Sequence, residues 1–426
     1  MYPSKVQEGE LNELKRKERY SSYQEDLAFS KELNILRNDF YYQMMGSTTT
    51  HNVSLVNFMY KPLDVMSGDA YSVRKIDDYR TFYLLVDGMG KGLSASLTAM
   101  LMAAFVNHII DKMIRFESYS LELLVKESLE YIQPILLDDE ALAIDYILFD
   151  NHYNTLSYAK FGMPAFLLQN RNNEILRIKS NNPPMSKWKS DFKVDEYSVE
   201  FIDKFLFFSD GIVENSVKEE GKTYAQFIEE DFKHSFTKEE LVKKMFLKLS
   251  PQEDDLTMIF INKLNCQNSL IANDVFDSSL ESVDRASEWY SDVWKEIVSE
   301  KEQTYDVAVV FTELFMNAYE HGNLAINAKE KHKMLEDDTY IETLLEKEQV
   351  CSKKIYVKVH KLEDLSSTYI VTHITDEGEG FDTQILSEIF RNSHAFNGRG
   401  VFVSRKNAMG IYYNTKGNTV LFLNKI

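Results

Sequence analysis

The fold is decided by a stretch that reads FYLLVDGMGKGLSASLTAMLMAA, residues 82–104. Its first five residues, Phe82–Val86, form a short apolar run that is typical of a buried strand. Asp87 and Gly88 end the run, a glycine-rich turn follows, and small and apolar residues from Leu93 predict a helix. A carboxylate at a strand end, beside glycines that admit close backbone approach, suits a metal site. The alternative is a plain strand–turn–helix unit in which Asp87 caps the helix.

Composition limits the class of protein. A chain of 426 residues predicts two or three domains, and a hydrophobic fraction of 44% is enough for their cores. The formal net charge of −19 argues against binding to nucleic acid or to an anionic membrane surface. Cys266 and Cys351 lie far apart without metal-type spacing, so we expect idle thiols in a reducing cytosol. No apolar stretch is expected to cross a membrane, and the polar N-terminus does not resemble a signal peptide, so we expect a cytoplasmic location.

Residues 1–45 predict a helical coiled-coil linker. The segment is rich in Glu, Lys, Arg, Leu and Tyr, and four apolar residues step by four, three and four: Phe29, Leu33, Leu36 and Phe40. This seam predicts a homodimer formed through the N-terminal helix. The alternative is a single amphipathic helix that lies on its own domain.

Two α+β domains are predicted after this segment. Residues 46–264 have the texture of strands and turns, with helices predicted over 93–112 and 121–136. The polar residues 265–274 predict a linker. Residues 275–426 predict a second domain with a long helix over 305–321 and a C-terminal hairpin over 410–422.

Four acidic residues of the first domain lie beside predicted strands: Asp69, Asp87, Asp210 and Asp254. Carboxylates brought together in one place repel one another and are tolerated when cations neutralise them. A site with only oxygen ligands favours magnesium or manganese over zinc. Two such ions, about 4 Å apart, would bridge a water and activate it near neutral pH for attack on phosphorus.

The order of these motifs resembles the metal-dependent type 2C serine/threonine phosphatases of the SpoIIE or RsbU type. The motifs that carry the resemblance are Pro62–Asp69, Asp87–Gly92, Ser209–Gly211 and Asp254–Thr257. Ser67 stands where the family usually has glycine. The resemblance implies a β-sandwich flanked by helices that binds two Mn²⁺ or Mg²⁺ ions. It assigns the metal ligands as Asp69, Asp87, the Gly88 carbonyl, Asp210 and Asp254, with Asp87 and Asp254 as the catalytic residues.

A second polar pattern lies on the long helix of the C-terminal domain. Glu313, Asn317 and His321 recur every four residues, so they are expected to share one helix face. Glycine loops follow at 376–381 and 398–400. The alternative is an ordinary solvated helix face, which asparagine and histidine make less typical.

This pattern resembles the Bergerat-fold (GHKL) ATPases, most closely the anti-sigma-factor serine kinases. The resemblance implies an α/β sandwich in which Asn317 binds Mg²⁺ between the ATP phosphates. Asp376 would accept a hydrogen bond from the adenine amino group, and Glu313 would be the general base. The implied ATP-binding residues are Asn317, His321, Asp376, Gly378, Gly380, Gly398, Arg399 and Gly400.

Together the two resemblances imply a bacterial partner-switching regulator. One half would remove phosphate from a serine or threonine of a small, STAS-type antagonist protein. The other half would use ATP to phosphorylate a protein of that kind, with a sigma factor or anti-sigma factor as a further partner. Two alternatives stay open: the C-terminal domain only binds ATP or sequesters a partner, or it senses the ATP/ADP ratio. The charged residues 322–352 are either a partner-binding insert or a tolerated excursion.

Overall fold

A computed structural model describes residues 27–28, 31–32, 34–40, 43–45, 52–64, 66–90, 92–188, 191–298, 301–365, 367–383 and 408–426. The chain divides into two compact units, one formed by residues 1–39 and 58–260 and the other by residues 40–57 and 261–426. Phe29, Leu33, Gly398, Arg399 and Gly400 lie outside the described residues. The predictions made for them therefore stay predictions.

In both units, runs of consecutive strands are separated by groups of helices. In chain order the strands are β1 (Arg37–Asn38), β2 (Met44–Met45), β3 (Asn52–Lys61), β4 (Asp69–Lys75), β5 (Arg80–Gly88), β6 (Ala141–Asp150), β7 (Thr155–Phe161), β8 (Phe166–Asn170), β9 (Ile175–Ile178), β10 (Met185–Ser186), β11 (Asp195–Ser198), β12 (Ile202–Phe208), β13 (Leu256–Asn265), β14 (Leu270–Asp277), β15 (Lys354–Asp364), β16 (Ser367–Asp376), β17 (Gly410–Tyr413) and β18 (Thr419–Lys425). The α-helices are α1 (Leu93–Arg115), α2 (Leu121–Ile132), α3 (Asp210–Glu214), α4 (Ile228–Lys233), α5 (Lys238–Lys248), α6 (Leu280–Ile297), α7 (Lys301–Asn317), α8 (Ala328–Glu336) and α9 (Tyr340–Val350).

Two sheets form a sandwich around the apolar run of β5. One sheet has the order β1-β4-β5-β6-β7-β11, with β10 on β6, and the other has the order β2-β3-β13-β12-β8-β9. Residues 82–86 are buried. The ring of Tyr83 lies 5.9 Å from that of Phe207 on β12, and Phe166 packs edge-on against Phe207 at 4.8 Å. The predicted buried strand is confirmed, and aromatic contacts fill the core.

Helix α1 packs on β4 and β5. Its small residues Ala95, Ala99 and Ala103 are buried, which allows the helix to lie close to the sheet. By length and composition α1 is long and apolar enough to cross a membrane, a match that the sequence analysis did not expect. Of its most apolar window, 61% is buried inside the structure, as in the core helix of a globular unit.

The second unit is one antiparallel sheet covered by helices. Its strand order is β14-β15-β16-β18-β17. Helices α6 and α7 share a buried apolar cluster with the sheet, and the rings of Tyr290 and Phe311 stack at 4.1 Å between these helices. The C-terminal hairpin formed by β17 and β18 is confirmed. The predicted excursion after residue 321 consists of the helices α8 and α9.

Two boundary predictions were wrong. The predicted N-terminal helix does not extend to residue 45, because Arg37 and Asn38 pair with β4 as a strand and Met44 and Met45 pair with β3. Leu36 and Phe40, which the seam offered to a partner chain, are 1% and 3% exposed. Of the described residues before them, 27–28, 31–32 and 34–35 are helical.

The predicted linker over 265–274 is also mostly strand. β13 continues to Asn265, and β14 pairs with β15 over most of its length. β14 is an edge strand whose residues are mostly exposed, so its sequence is polar like that of a linker. The second domain therefore begins before residue 275.

Candidate active site

Asp69 and Asp87 face each other across two adjacent strands. Asp69 is the first residue of β4, and in the antiparallel ladder it pairs directly with Asp87 near the end of β5. Directly opposed residues have Cβ atoms about 4.5–5.5 Å apart. Asp69 is 3% exposed and Asp87 is half-buried. Like charges placed directly opposite in a sheet destabilise it, so this pair indicates a cation or a proton at this position.

Asp210 and Asp254 approach the same place from the other sheet. Asp210 begins α3 directly after β12, and Asp254 precedes β13. A Cβ added to Gly211 would lie 2.0 Å from the carbonyl oxygen of Asp255, so only glycine permits the two loops to approach this closely. The third and fourth motifs of the sequence are therefore adjacent in space.

The electrostatics of the cluster favour neutral carboxyls in the absence of cations. Burial first, and then the repulsion of the neighbouring carboxylates with Asp69 foremost, raise the pKa of Asp87 to about 10. Asp210 hydrogen-bonds the Asp87 carboxyl, which adds to the same shift. Burial likewise raises the pKa of Asp69 to about 7. Divalent cations would remove this penalty, because they neutralise the charges that repel one another.

The cluster is open rather than closed around one point. Across the part of the chain that the structure describes, no three of its carboxylates bring ligand oxygens within 4.8 Å of one another. The donor set, which consists only of oxygens, fits magnesium or manganese.

Ser209 orients Asp69, a role that the sequence analysis did not assign. Its hydroxyl donates a hydrogen bond to Oδ2 of Asp69 at 2.7 Å. The backbone N–H of Ser209 donates to the carbonyl oxygen of Thr257 at 3.0 Å, so β13 fixes the position of the serine. The serine of the Ser209–Gly211 motif was the available signal, but its partner lies 140 residues away in sequence.

Asp255 holds the loop that leads to Asp69. Its Oδ1 accepts a hydrogen bond from the backbone N–H of Leu63, and its Oδ2 accepts one from Gly68, both at 2.6 Å. These contacts agree with its interpretation as a turn cap and with its omission from the metal ligands. Asp255 thus stabilises the loop over residues 62–69.

Glu32 is a second residue that sequence reasoning missed. Its side chain is buried, and it accepts hydrogen bonds from the hydroxyl of Tyr60 and, at 3.3 Å, from the backbone N–H of Ser67. Burial raises the pKa of Glu32. The Tyr60 hydroxyl also lies 3.4 Å from the carbonyl oxygen of Asp69. A glutamate in a segment rich in charged residues gives no signal of such a contact.

Gly88 brings the metal turn against α1. Its N–H donates to the carbonyl oxygen of Gly68 at 3.0 Å, and an added Cβ would lie 2.7 Å from the carbonyl oxygen of Ala95. Gly90 and Gly92 have φ angles of 86° and 89°, which glycine adopts without strain. The glycines of this motif are thus required by the backbone.

In the second unit, the regular helix α7 carries Glu313 and Asn317, both half-buried. α7 ends at Asn317, and a wider π-helical turn follows over Ala318–Asn323. His321 is exposed in this turn, and its Nδ1 contacts the carbonyl oxygen of Ile326. The predicted four-residue periodicity therefore holds for Glu313 and Asn317. His321 lies beyond the end of the regular α-helix, within the π-turn, so its place on the same face stays a prediction.

Asp376 lies against the end of that helical segment. A Cβ on Gly322 would lie 2.4 Å from Cγ of Asp376, so the backbone of the π-turn contacts this carboxyl directly. Oδ1 of Asp376 accepts a hydrogen bond from the N–H of Gly378 at 2.8 Å, and burial raises the pKa of Asp376 to about 6. Two predicted site elements, the polar helix and the first glycine loop, are thus brought together.

The C-terminal hairpin holds the first glycine loop in place. Gly380 has a φ angle of 80°, and an added Cβ would lie 1.9 Å from the carbonyl oxygen of Lys416. Nζ of Lys416 donates to the carbonyl oxygen of Gly378 at 3.0 Å. The loop over 376–381 is therefore stabilised by contacts with the turn of the β17–β18 hairpin.

Residues 77–263 match the family model described as Stage II sporulation protein E (SpoIIE). This range includes Asp87, Asp210 and Asp254, and the predicted SpoIIE-type domain is confirmed over it. The match covers less than half of the chain. It does not extend over residues 264–426, which carry the predicted ATP-binding motifs. No curated protein matches the chain.

Three solved structures illustrate the similarity. The RsbU and RsbW domains of a Mycobacterium tuberculosis protein are 12% identical, with 87% of this chain and 94% of that chain covered and a TM-score of 0.45. The SiaA-PP2C domain of Pseudomonas aeruginosa is 19% identical, with 58% and 98% covered and a TM-score of 0.47. The PP2C phosphatase domain of SpoIIE from Bacillus subtilis, with a fragment of its regulatory domain, is 17% identical, with 49% and 63% covered and a TM-score of 0.43. At these values the structural similarities carry no functional assignment for this chain.

Proposed function

We propose, from the SpoIIE-family domain over residues 77–263, that the first unit is a divalent-metal-dependent protein serine/threonine phosphatase. The observation that carries the proposal is the direct pairing of Asp69 with Asp87, to which Asp210 adds a third carboxyl. A fold that places carboxyls side by side is stabilised when a proton or a cation offsets their mutual repulsion.

Two Mn²⁺ or Mg²⁺ ions would be held by Asp69, Asp87, Asp210, Asp254 and the carbonyl oxygen of Gly88. When bound, the ions supply the positive charge that activates a water and offsets the negative charge of the phosphate. Ser209 holds the Asp69 carboxylate in one orientation, and Asp255 holds the loop before it. The protein thus contributes a pre-arranged set of oxygen ligands.

The substrate that we assign is a phosphoserine or phosphothreonine of a small, STAS-type anti-sigma-factor antagonist. This assignment rests on the motif order of a SpoIIE-type domain, as does the proposed role in cytoplasmic partner switching. The formal net charge of −19 favours a protein substrate over nucleic acid. A homodimer through the N-terminal segment stays a prediction.

We assign the second unit as an ATP-dependent serine kinase that acts on a protein of the same class. Its support is the contact between Gly322 and Asp376: the acid to which the resemblance assigns adenine binding lies against the turn that follows the helix carrying Glu313 and Asn317. Glu313 would accept the proton of the target hydroxyl. Without catalysis by Glu313, the same site would only bind nucleotide or a partner.

The phosphatase proposal is tested with a phosphoserine-containing antagonist protein and Mn²⁺. Asp87→Asn should remove most turnover and weaken Mn²⁺ binding while the fold is retained, because the charge between the ions is lost. Asp78→Asn, at an exposed position in the turn between β4 and β5, is the matched control and should behave as wild type. Wild-type activity of the Asp87 variant would reject the proposal.

The kinase proposal is tested with labelled ATP and the unphosphorylated antagonist. Asn317→Ala should lose magnesium-dependent ATP binding, whereas Glu313→Gln should bind ATP and lose phosphoryl transfer. Glu288→Gln, exposed on α6, is the control. Transfer at the wild-type rate by Glu313→Gln would exclude this residue as the base, and ATP binding without transfer by wild type would favour the binding-only alternative.

A further inference from the structure

A cysteine and two histidines converge in the second unit, and neither proposed active site uses them. Cys266 follows β13, His360 lies on β15 and His373 lies on β16. One ligand atom from each, Sγ or a ring nitrogen, lies within 4.8 Å of the other two. Among the described residues, these three side chains are the set of His, Cys, Asp or Glu residues whose ligand atoms lie close enough together to bind one ion. From the sequence, Cys266 is expected to be a buried or idle thiol, because the two cysteines lie far apart without metal-type spacing.

The two histidines project from one face of the sheet. Lys358 pairs with His373 and His360 pairs with Val371, so both rings lie on the same side of neighbouring strands. The alternate residues Val357, Val359 and Ile374 belong to the apolar cluster beneath α6 and α7. The histidines therefore face away from the helices. The ring centroids of His360 and His373 are 5.4 Å apart.

Ser269 orients the ring of His360. Its hydroxyl donates to the carbonyl oxygen of Cys266 at 3.0 Å and lies 3.0 Å from Nδ1 of His360. The serine hydroxyl has one proton, so when that proton is donated to the Cys266 carbonyl, the contact with Nδ1 is donated by the imidazole N–H. In that tautomer the lone pair of the ring is on Nε2. Metal-binding histidines are commonly oriented by such a hydrogen bond to the second ring nitrogen.

His373 supplies an independent observation. Its Nε2 is buried and has no hydrogen-bond partner among the described residues. A buried polar atom without a partner costs free energy, so its retention calls for an explanation such as a bound ion.

From this arrangement we propose that Cys266, His360 and His373 form a site for a single Zn²⁺ ion. A thiolate with two imidazoles suits zinc and excludes magnesium, which prefers oxygen ligands. Zinc forms bonds of about 2.3 Å to sulfur and about 2.0–2.1 Å to nitrogen, and three ligand atoms that lie within 4.8 Å of one another can surround such an ion after a small adjustment. Three protein ligands leave a fourth position for water or another ligand.

Zinc binding would release the thiol proton of Cys266 to solvent, so that a thiolate–zinc bond replaces the S–H bond. The bound ion would tie the turn over 266–269 to β15 and β16. That turn directly follows β13, the strand that begins after Asp254 and Asp255. The site is independent of the phosphatase and kinase proposals and does not depend on either activity.

The test uses the full chain, stripped with chelator and titrated with Zn²⁺ in the presence of excess Mg²⁺, which occupies the carboxylate sites. About one Zn²⁺ per chain should bind, and Co²⁺ in its place should give a thiolate-to-cobalt charge-transfer band. Cys266→Ser should lose the band, and His373→Gln should lower zinc affinity by at least tenfold. Cys351→Ser and His332→Gln, at the other cysteine and at an exposed histidine, are the matched controls and should bind as wild type.

Thermal unfolding of each metal-free variant checks that the fold is retained. If Cys266→Ser does not fold, His373→Gln carries the test, since it retains the thiol and removes one ligand. Failure of the wild-type chain to bind Zn²⁺ under excess Mg²⁺ would overturn the proposal. So would unchanged binding in both ligand variants. Preferential retention of copper with a thiolate–copper band, and no zinc, would overturn the assignment to zinc.

Discussion

The hydroxyl of Ser209 lies 2.7 Å from Oδ2 of Asp69, so the residue before Asp210 fixes the carboxylate that faces Asp87 across the sheet. This hydrogen bond joins the first and third acidic motifs, which belong to different sheets of the sandwich. Loss of a group that orients a metal ligand in this way commonly lowers metal affinity or activity by about 10- to 100-fold.

Ser209→Ala should therefore weaken Mn²⁺ binding and phosphatase activity by about 10- to 100-fold, since Asp69 loses the donor that holds it. The measurement is activity as a function of Mn²⁺ concentration, in which the loss should be partly recovered at high Mn²⁺. Ser118→Ala, at an exposed serine after α1, is the control. An unchanged Mn²⁺ dependence in Ser209→Ala would show that the hydrogen bond does not support the site.

The acidic cluster predicts how the stability of the metal-free protein depends on pH. The pKa values of Asp69 and Asp87 are raised to about 7 and about 10 in the folded state, above the ordinary value of 3.8. The protonated forms therefore favour folding. Their contribution is complete below about pH 4 and is lost as the pH rises through about 7 and then about 10. Each group changes the free energy of unfolding by at most about 1.4 kcal/mol per pH unit.

Denaturant unfolding in chelator should thus show a free energy of unfolding that falls between pH 6 and pH 9. Mn²⁺ should stabilise the protein more at pH 9 than at pH 6, because the ionised carboxylates bind it. Asp87→Asn should flatten the metal-free trend, and Asp78→Asn should leave it unchanged. A wild-type trend that rises over this range would contradict the assigned electrostatics.

Glu32 is expected to support the loop that carries Asp69. Glu32→Ala removes the contacts with Tyr60 and with the Ser67 N–H, and a hydrogen bond to a charged group contributes about 1.5–3 kcal/mol. We expect lower stability and a higher Mn²⁺ requirement. Glu32→Gln retains an acceptor oxygen and should lie closer to wild type.

The control is Lys31→Ala, at the exposed residue next to Glu32, which should leave stability and the Mn²⁺ requirement unchanged. Thermal unfolding and Mn²⁺-dependent activity are measured on all three variants. Equal behaviour of Glu32→Ala and Lys31→Ala would exclude a supporting role for Glu32.

Gly322 is expected to be essential for the nucleotide site. In Gly322→Ala the added methyl group would displace the Asp376 carboxyl, and overpacking of this kind costs about 1–3 kcal/mol. ATP binding, measured by calorimetry, should be lost or strongly weakened, while Mn²⁺-dependent phosphatase activity remains. Ala325→Gly in the same segment is the control, because Ala325 has a φ angle of 52°, which glycine adopts more readily. Normal ATP affinity in Gly322→Ala would show that ATP binding does not depend on the position of the Asp376 carboxyl.

The sequence alone was sufficient for features that depend on local pattern. The apolar run at 82–86 is the buried strand β5, the small residues after it form α1, and the final hairpin lies where its turn residues predicted it. The order of the acidic motifs was sufficient to predict the SpoIIE-type domain that the family model matches over residues 77–263. These features succeed because hydrophobic periodicity and glycine placement act over a few neighbouring residues.

Only the tertiary structure decided which distant residues meet. Residues 37–38, predicted as helix, pair with β4 as a strand, and the predicted polar linker contains the edge strand β14. Both differences arise because strand pairing depends on partners elsewhere in the chain. The tertiary structure also brought Ser209 to Asp69, Glu32 to Tyr60, and Cys266 to two histidines of neighbouring strands. Each of these contacts joins residues that are far apart in sequence, so a local sequence pattern does not predict them. Hydrogen bonding and ligand geometry depend on positions that the packed sheets alone determine.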